Sequence, residues 1–207
     1  KHFSYQVYVE YGANAAGFGT VWRSKELKDA VYVIVTNNGV AGSIILNNEI
    51  YHGRTGRAGA FGHITLNPSG RKCFCGACGC WSAYNALNAL TGLDETDLDG
   101  FFEKVNNEDP DAIAKWDEYL TYFADGLSTV SMSFDIDIVI GGPLAVYLEP
   151  WLDTIISKMQ SRPTLNGENI SIHLDTKSES PMAEGVALMI VAKFLNDELD
   201  NFRFDEL

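Results

Sequence analysis

The chain has 207 residues, of which 46% are hydrophobic, and its formal net charge is -13 at pH 7. This length allows one substantial core or two small ones, and the acidic charge argues against a chain that grips nucleic acid with its own surface, because phosphate binding needs clustered Lys and Arg. No apolar run approaches the length of a membrane span, and the first residues lack the basic and apolar regions of a signal peptide.

The first fifty residues predict strand, helix and hairpin in succession. Residues 30–36 (AVYVIVT) form a nearly continuous β-branched run, which is typical of a strand buried on both faces of a sheet. Asn37-Asn38-Gly39 is strong turn chemistry, and Asn47-Asn48 would close a tight hairpin. In chain order the predicted elements are a strand at 3–10, a helix at 13–27, and strands at 30–36, 43–46 and 49–51.

Helical spacing of apolar residues dominates the chain after a glycine-rich stretch at 53–62. The repeated alternation of strand and helix indicates an α/β fold with a mixed sheet, and no repeat or low-complexity linker divides the chain. One compact lobe is therefore predicted. The remaining elements are helices at 81–90, 98–105, from 109–110 toward Met132, 144–159 and 181–195, strands at 137–140 and 169–174, and an acidic tail at 196–207 that would fray.

The stretch at 62–80 (GHITLNPSGRKCFCGACGC) concentrates the residues that could bind a metal. It holds His63 and every cysteine of the chain, which are Cys73, Cys75, Cys78 and Cys80. A closed zinc site uses four thiolate or imidazole ligands, and the glycines in this stretch would let the backbone fold around an ion. Five candidates for four positions leave one cysteine surplus.

Two other interpretations of these cysteines compete with a metal site. Two disulfides would require neighbours such as Cys73 and Cys75 to meet a geometry that they rarely reach, and nothing else in the sequence suggests secretion. Buried free thiols beside a hydrogen-bonded histidine would explain any one of these residues alone, but not their clustering. Zinc is the predicted cofactor, and a reducing cytoplasm, which suits zinc-bound thiolates, is the predicted location.

The spacing of these residues resembles the zinc signature of the ROK family. His63, nine residues, Cys73, one residue, Cys75, four residues and Cys80 match that signature, including the glycine before the histidine. The family comprises bacterial sugar-responsive repressors, sugar kinases and uncharacterised proteins. The resemblance implies that these four residues are the metal ligands, that Cys78 is the extra thiol, and that His63 also contacts sugar.

The resemblance also implies a fold. ROK proteins have an actin-like, two-lobed ribonuclease H fold, and residues 1–207 resemble the C-terminal lobe alone, a mixed sheet flanked by helices with the zinc loop at 62–80. The N-terminal lobe and any helix-turn-helix have no counterpart in this sequence. DNA would then be contacted only through a segment that is not in this chain. ROK proteins commonly pair through this lobe, so a homodimer is expected.

The catalytic and sugar-binding motifs depart from the family pattern. ROK kinases carry Asn-Asp-Ala-Asn, in which the aspartate is the general base, whereas this chain has Tyr-Gly-Ala-Asn with Gly12 at the base position. Glycine has no group that takes a proton, so the transfer step lacks its base. Two family glutamates that contact sugar correspond to Ala60 and Ser82. Of the five usual sugar contacts only His63 remains.

The nucleotide motifs are partly retained. The family's glycine-rich second phosphate loop corresponds to residues 37–43 (NNGVAGS), where Asn, Ala and Ser restrict close backbone approach to phosphates. Gly141-Gly142 matches a late Gly-Gly pair that borders the adenosine pocket in the family. A strand-to-helix turn with unusual dihedral angles would equally explain that pair.

These observations predict the effector and dimerisation domain of a NagC/XylR-like ROK transcriptional regulator, with structural zinc, no kinase activity and weak or altered sugar binding. A sugar effector and a second copy of the chain are the expected partners, and no membrane is expected. The alternative is a ROK sugar kinase that phosphorylates a hexose or amino sugar with ATP and recruits a different base. A third possibility is an oligomerisation unit whose zinc only staples a loop.

Overall fold

The computed structural model describes residues 7–92, 97–165, 169–178 and 180–201, with side chains through 195. It confirms the α/β prediction: five strands form one mixed sheet in the order β3-β2-β1-β4-β5. The strands are β1 (Ala30–Thr36), β2 (Gly39–Leu46), β3 (Glu49–Ile50), β4 (Asp137–Gly141) and β5 (Ile172–Asp175). The helices are α1 (Gly12–Arg23), α2 (Ser82–Asn85), α3 (Asn88–Thr91), α4 (Leu98–Asn106), α5 (Pro110–Phe134), α6 (Ala145–Leu148), α7 (Leu152–Gln160) and α8 (Pro181–Asn201).

The central strand β1 is buried on both faces, as its β-branched run predicts. Val31, Val33 and Val35 point into one apolar cluster, which also contains side chains of α4, α5 and α7. Ala30, Tyr32 and Ile34 point into a second cluster with α1. Because side chains alternate along a strand, a fully buried strand must be apolar on both faces.

The sheet combines two hairpins with two parallel strands. β1 pairs antiparallel with β2 and parallel with β4, and β5 joins β4 in parallel. The Asn47-Asn48 turn between β2 and β3 has positive φ at both residues, 54° and 63°, which a two-residue hairpin turn requires. The carboxyl ends of β1, β4 and β5 therefore meet at one edge of the sheet.

Tertiary contacts change several predicted boundaries. Residues 7–10 of the strand expected at 3–10 are not in a strand, and 3–6 lie outside the described residues. The helix expected at 13–27 ends at Arg23, since Ser24 is extended. The β5 strand begins at Ile172, later than expected.

Two predicted helices are broken. The helix expected at 81–90 is divided at Ala86, which has an extended ψ of 150°. The helix expected at 144–159 becomes α6, a 3-10 turn at Glu149–Trp151 and α7, where Pro150 supplies no amide hydrogen for a continuous helix. In the predicted tail, α8 continues to Asn201, and residues 202–207 lie outside the described part.

α1 and α8 pack closely on one face of the sheet through small residues. A Cβ built on Gly19 would lie 3.0 Å from Gly185 Cα, and one on Gly185 would lie 1.8 Å from the Ala15 carbonyl oxygen. None of the helices in the described ranges combines the length and apolarity that crossing a bilayer requires.

Candidate metal centre

The stretch at 62–80 folds back on itself in two short antiparallel bridges. Thr65 pairs with Cys80, and Lys72 pairs with Cys78. The Cys73 amide donates to the Ala77 carbonyl at 2.8 Å, which closes a tight turn around Gly76. Gly76 has φ 94°, a conformation that favours glycine. The turn places cysteines that are close together in the sequence on the same side of the loop as His63.

Four potential ligand atoms converge in this fold. One atom from each of His63, Cys73, Cys75 and Cys80 lies within 4.8 Å of the others. The Cys73 Sγ to His63 Nδ1 distance is 3.9 Å, and the Cys75 Sγ to Cys80 Sγ distance is 3.7 Å. A tetrahedral ion with Zn–S near 2.3 Å and Zn–N near 2.0 Å separates its ligands by roughly 3.5–3.8 Å. The separations therefore suit a tetrahedral metal ion.

Cys78 is not part of this four-atom group. Its side chain is exposed, and it has no disulfide partner, like the other three cysteines. The disulfide interpretation is thereby wrong for this structure, since all four cysteines lie in the described part of the chain. The grouping agrees with the ligand set that the ROK resemblance implies.

The crowded thiols affect one another's ionisation. Burial, followed by hydrogen bonds with Cys75 and Cys73, raises the pKa of Cys80 to about 12. The backbone amide of Ala77, followed by a hydrogen bond with Cys73, lowers the pKa of Cys75. Neighbouring thiolates repel one another, whereas a bound cation favours the ionised forms. The donor set thus has the chemistry of a site that is completed by a cation.

Aromatic and charged contacts brace the loop against the helices. The Arg71 guanidinium lies 5.0 Å from the centre of the Tyr84 ring and 2.8 Å from a Glu118 carboxylate oxygen. The Tyr84 hydroxyl accepts from the Arg71 amide at 3.0 Å, and its ring stacks on Tyr122 at 3.8 Å. The loop is therefore fixed to α2 and α5 through Arg71.

The positions of the missing family carboxylates have other environments. Gly12 begins α1, and a Cβ there would lie 2.7 Å from the Met182 sulfur. Ala60 is exposed. Ser82 is buried, and its hydroxyl is hydrogen-bonded to the backbone of Val40. None of these three residues carries a carboxylate.

Glu10 is a carboxylate that lies just before the start of α1. Its side chain is 18% exposed and lies 2.9 Å from His52 Nε2. Asn14 and the Tyr11 amide also donate to it, at 2.8 and 2.7 Å. Burial alone would raise the pKa of Glu10, but the hydrogen bonds from His52, Asn14 and the Tyr11 amide together lower it.

A cleft of about 810 Å³ opens at the carboxyl edge of the parallel strands. Gly142 lines it and has φ 85°, a conformation that favours glycine, so Gly142 belongs both to the strand-to-helix turn and to the cleft wall. Its volume lies in the range of ligand pockets. The lining residues are Ile34, Thr36, Asn37, Asn38, Gly142, Pro143, Val146, Asp175, Thr176, Ser178, Ser180, Pro181, Met182 and Ala183.

Asp175 is a buried carboxylate at the edge of this cleft that the sequence did not single out. Its side chain is 2% exposed and lies 3.3 Å from the Arg23 guanidinium. The Thr20 hydroxyl lies 2.5 Å from the same carboxylate, and the Tyr32 hydroxyl lies 3.4 Å from it. Burial, followed by the Asp175 charge, raises the pKa of Tyr32. This cluster ties α1, β1 and β5 together.

Repressors and kinases are both similar to this chain. The "Xylose repressor" of Bacillus subtilis (strain 168) is 31% identical over 77 residues, which cover 37% of this chain and 20% of the repressor. The "N-acetylmannosamine kinase" of Haemophilus influenzae (strain PittEE) is 28% identical over 173 residues, which cover 80% of this chain and 57% of the kinase. The match therefore spans less than two thirds of either relative.

The fold of this chain matches that of a solved structure. The ROK hexokinase from Thermus thermophilus superposes with a TM-score of 0.72 at 24% identity, over 87% of this chain and 65% of that chain. A family model described as the ROK family matches residues 1–186. The resemblance inferred from the spacing of the histidine and cysteines is thus confirmed, and this chain belongs to the ROK family.

Proposed function

We propose that this chain is the effector and dimerisation lobe of a NagC/XylR-like ROK transcriptional regulator, without kinase activity and with weak or altered sugar binding. One observation carries the proposal: four potential metal-ligand atoms are grouped in this chain, whereas the position of the family base is occupied by a glycine, Gly12. A glycine cannot accept a proton from a sugar hydroxyl. The similarity to a xylose repressor over 37% of this chain is compatible with a regulator.

Zinc is the metal that the proposal assigns to this group. Three cysteine sulfurs and one imidazole nitrogen in tetrahedral arrangement are a donor set typical of zinc. Because the protein would supply all four ligands, His63, Cys73, Cys75 and Cys80, the ion would be structural and would hold the loop in place. Unpaired thiols at all four cysteines suit a reducing compartment such as the cytoplasm.

The proposal treats the chain as one lobe of a larger regulator. Residues 1–207 would form a single C-terminal lobe with its zinc loop at 62–80, and the N-terminal lobe and helix-turn-helix would belong to another segment. The net charge of -13 suits a lobe that does not itself contact DNA. Sequencing the residues encoded upstream tests this division, since a winged helix-turn-helix is expected there.

Sugar binding is tested by isothermal titration of the zinc-loaded protein with hexoses and N-acetylated amino sugars. With Ala60 and Ser82 in place of two carboxylates, sugar hydroxyls would be left unpaired at about 1–3 kcal/mol each. Dissociation constants in the millimolar range, or no measurable heat, are expected. Clear micromolar binding would contradict the assigned weakness of this site.

A ROK sugar kinase is the second candidate function. The similarity to an N-acetylmannosamine kinase over 80% of this chain and the cleft of about 810 Å³ beside Gly142 favour it. A coupled ATP-consumption assay on the full-length protein decides between the two, and no turnover above background is expected. Turnover that is abolished by Ala183→Trp, which would fill the cleft, would establish the kinase instead.

The proposed regulator is a homodimer that pairs through this lobe. Light scattering on the purified protein should give twice the chain mass of 22.8 kDa. A strictly monomeric mass at micromolar concentration would contradict the dimer without affecting the metal assignment.

A further inference from the structure

The Ser82 side chain is hydrogen-bonded to both the amide and the carbonyl of one residue in the β1–β2 hairpin. Its hydroxyl accepts from the Val40 amide at 3.0 Å and donates to the Val40 carbonyl at 3.4 Å. Val40 lies opposite Val35, one pair beyond the two-residue turn. In an antiparallel hairpin this pair is not hydrogen-bonded, so the Val40 amide points away from β1. Ser82 supplies the partner that the ladder does not.

The Ser82 hydroxyl is wedged between two glycines of different segments. A Cβ built on Gly39, at the hairpin turn, would lie 2.8 Å from the hydroxyl oxygen, and one built on Gly62, at the start of the metal loop, would lie 2.2 Å from it. The side chain is 4% exposed. A larger side chain could not take the same orientation, because protein interiors are close-packed.

Further contacts from the same segment hold the hairpin turn. The Leu87 amide donates to the Thr36 carbonyl at 3.0 Å, and the Asn88 amide donates to the Asn37 carbonyl at 3.3 Å. These two amides bond to the hairpin instead of to carbonyls within the helix expected at 81–90. This exchange of partners explains the break at Ala86. Together with the Ser82 contact to Val40, these bonds attach the segment that follows the metal loop to the chain on both sides of the turn.

The turn lies between the metal loop and the cleft. Thr36, Asn37 and Asn38 line the cleft of about 810 Å³. On the other side, Ser82 follows the ligand Cys80 by two residues, and the Trp81 amide between them donates to the Ile64 carbonyl at 2.8 Å. A displacement of the metal loop would therefore move Ser82, and with it the wall of the cleft.

We propose that Ser82 is a positioning residue that couples the order of the metal loop to the hairpin turn at the wall of the cleft. The coupling rests on the proposed metal site, and it gives position 82 a role unlike that of the sugar-contacting glutamate that the family carries. The hydroxyl faces inward and holds the hairpin through its two hydrogen bonds with Val40, a contact that we call the latch. Metal binding at 62–80 then stabilises the cleft wall as well as the loop.

Hydrogen exchange of the Val40 amide measures the latch directly. In zinc-loaded Ser82→Ala, exchange at residues 39–42 should rise roughly tenfold relative to wild type, as expected for one lost hydrogen bond, while β4 and the zinc content stay unchanged. Ser128→Ala is the matched control, because Ser128 is also buried but donates within α5 to the Ala124 carbonyl. Equal protection of Val40 in wild type and Ser82→Ala would overturn the latch.

Chelation tests the coupling. Removing zinc from wild type should raise exchange at 39–42 together with the loop, and the further rise in Ser82→Ala should be smaller because the link is already cut. If chelation raised hydrogen exchange in the loop alone, with residues 39–42 still protected, that result would overturn the coupling but not the metal assignment. A purified protein without zinc would instead contradict the proposed function, and the Val40 measurement would still test the latch.

Discussion

At the scale of single residues, the arrangement of the metal group distinguishes two exposed cysteines three positions apart. Cys75 lies 3.7 Å from Cys80 through its sulfur, whereas Cys78 is outside the four-atom group. The sequence identified the five candidates and the tight glycine turn. It could not by itself decide which thiol is surplus, because that depends on which way each side chain leaves the turn. The choice came from the family resemblance and agrees with the geometry.

Cys75→Ser and Cys78→Ser form a matched pair that tests the ligand assignment. Cys75→Ser should lose most of the bound zinc and lower the melting temperature by about 5 °C or more, because metal binding stabilises the folded loop. Cys78→Ser should retain zinc and change the melting temperature by no more than about 1 °C. Metal content and thermal unfolding measure both effects, and equal losses from the two variants would be inconsistent with the assignment.

Glu10 gives a prediction about pH. Its pKa is lowered from 4.5 in the folded state, so its contribution to stability is fully present above pH 4.5 and is lost as the pH falls through the lower folded pKa. Glu10→Gln should therefore be less stable than wild type at pH 6, and the two should converge near pH 3. Urea denaturation at both values measures this, and a difference that is constant with pH would argue against it. The partner His52 is 42 positions away, which is why the sequence did not reveal the pair.

At the scale of elements, propensity predicted the core strands and missed the breaks that tertiary contacts impose. β1 was predicted with its observed limits, since its β-branched run fits no other environment. The break at Ala86 depends on bonds to Thr36 and Asn37, and these partners are about fifty positions away in the sequence. Residues 7–10 alternate like a strand but pair with none in the described part of the chain. A strand requires a neighbour that a local pattern cannot identify.

Gly185→Ala tests the close packing of α1 against α8. In an open helix this change would stabilise by up to about 1 kcal/mol. Here the new Cβ would lie 1.8 Å from the Ala15 carbonyl oxygen, which is backbone, so a loss of about 1–3 kcal/mol is expected. Ala187→Gly, on an exposed position of α8, should cost about 1 kcal/mol through propensity alone. Urea denaturation gives both values, and stabilisation by Gly185→Ala would show that the helices separate easily.

At the scale of the whole molecule, the strand-helix alternation predicted an α/β fold and the metal-ligand spacing predicted the family. Both are confirmed by the mixed sheet and the ROK match over residues 1–186. The cleft and the buried Asp175 cluster escaped prediction because they form where the ends of β1, β4 and β5 meet, far apart in the sequence. The proposal of a regulator rather than a kinase depends on a grouped set of potential metal ligands in a chain that has glycine, Gly12, at the position of the family base.

The zinc content of the purified wild-type protein tests this basis most directly. Inductively coupled plasma mass spectrometry on protein prepared without added metal or chelator should find one zinc per chain, held by His63, Cys73, Cys75 and Cys80. Chelation should remove it and lower the melting temperature. Protein that is folded and contains no zinc or other transition metal would contradict the proposal of a regulator whose loop is stabilised by a bound metal.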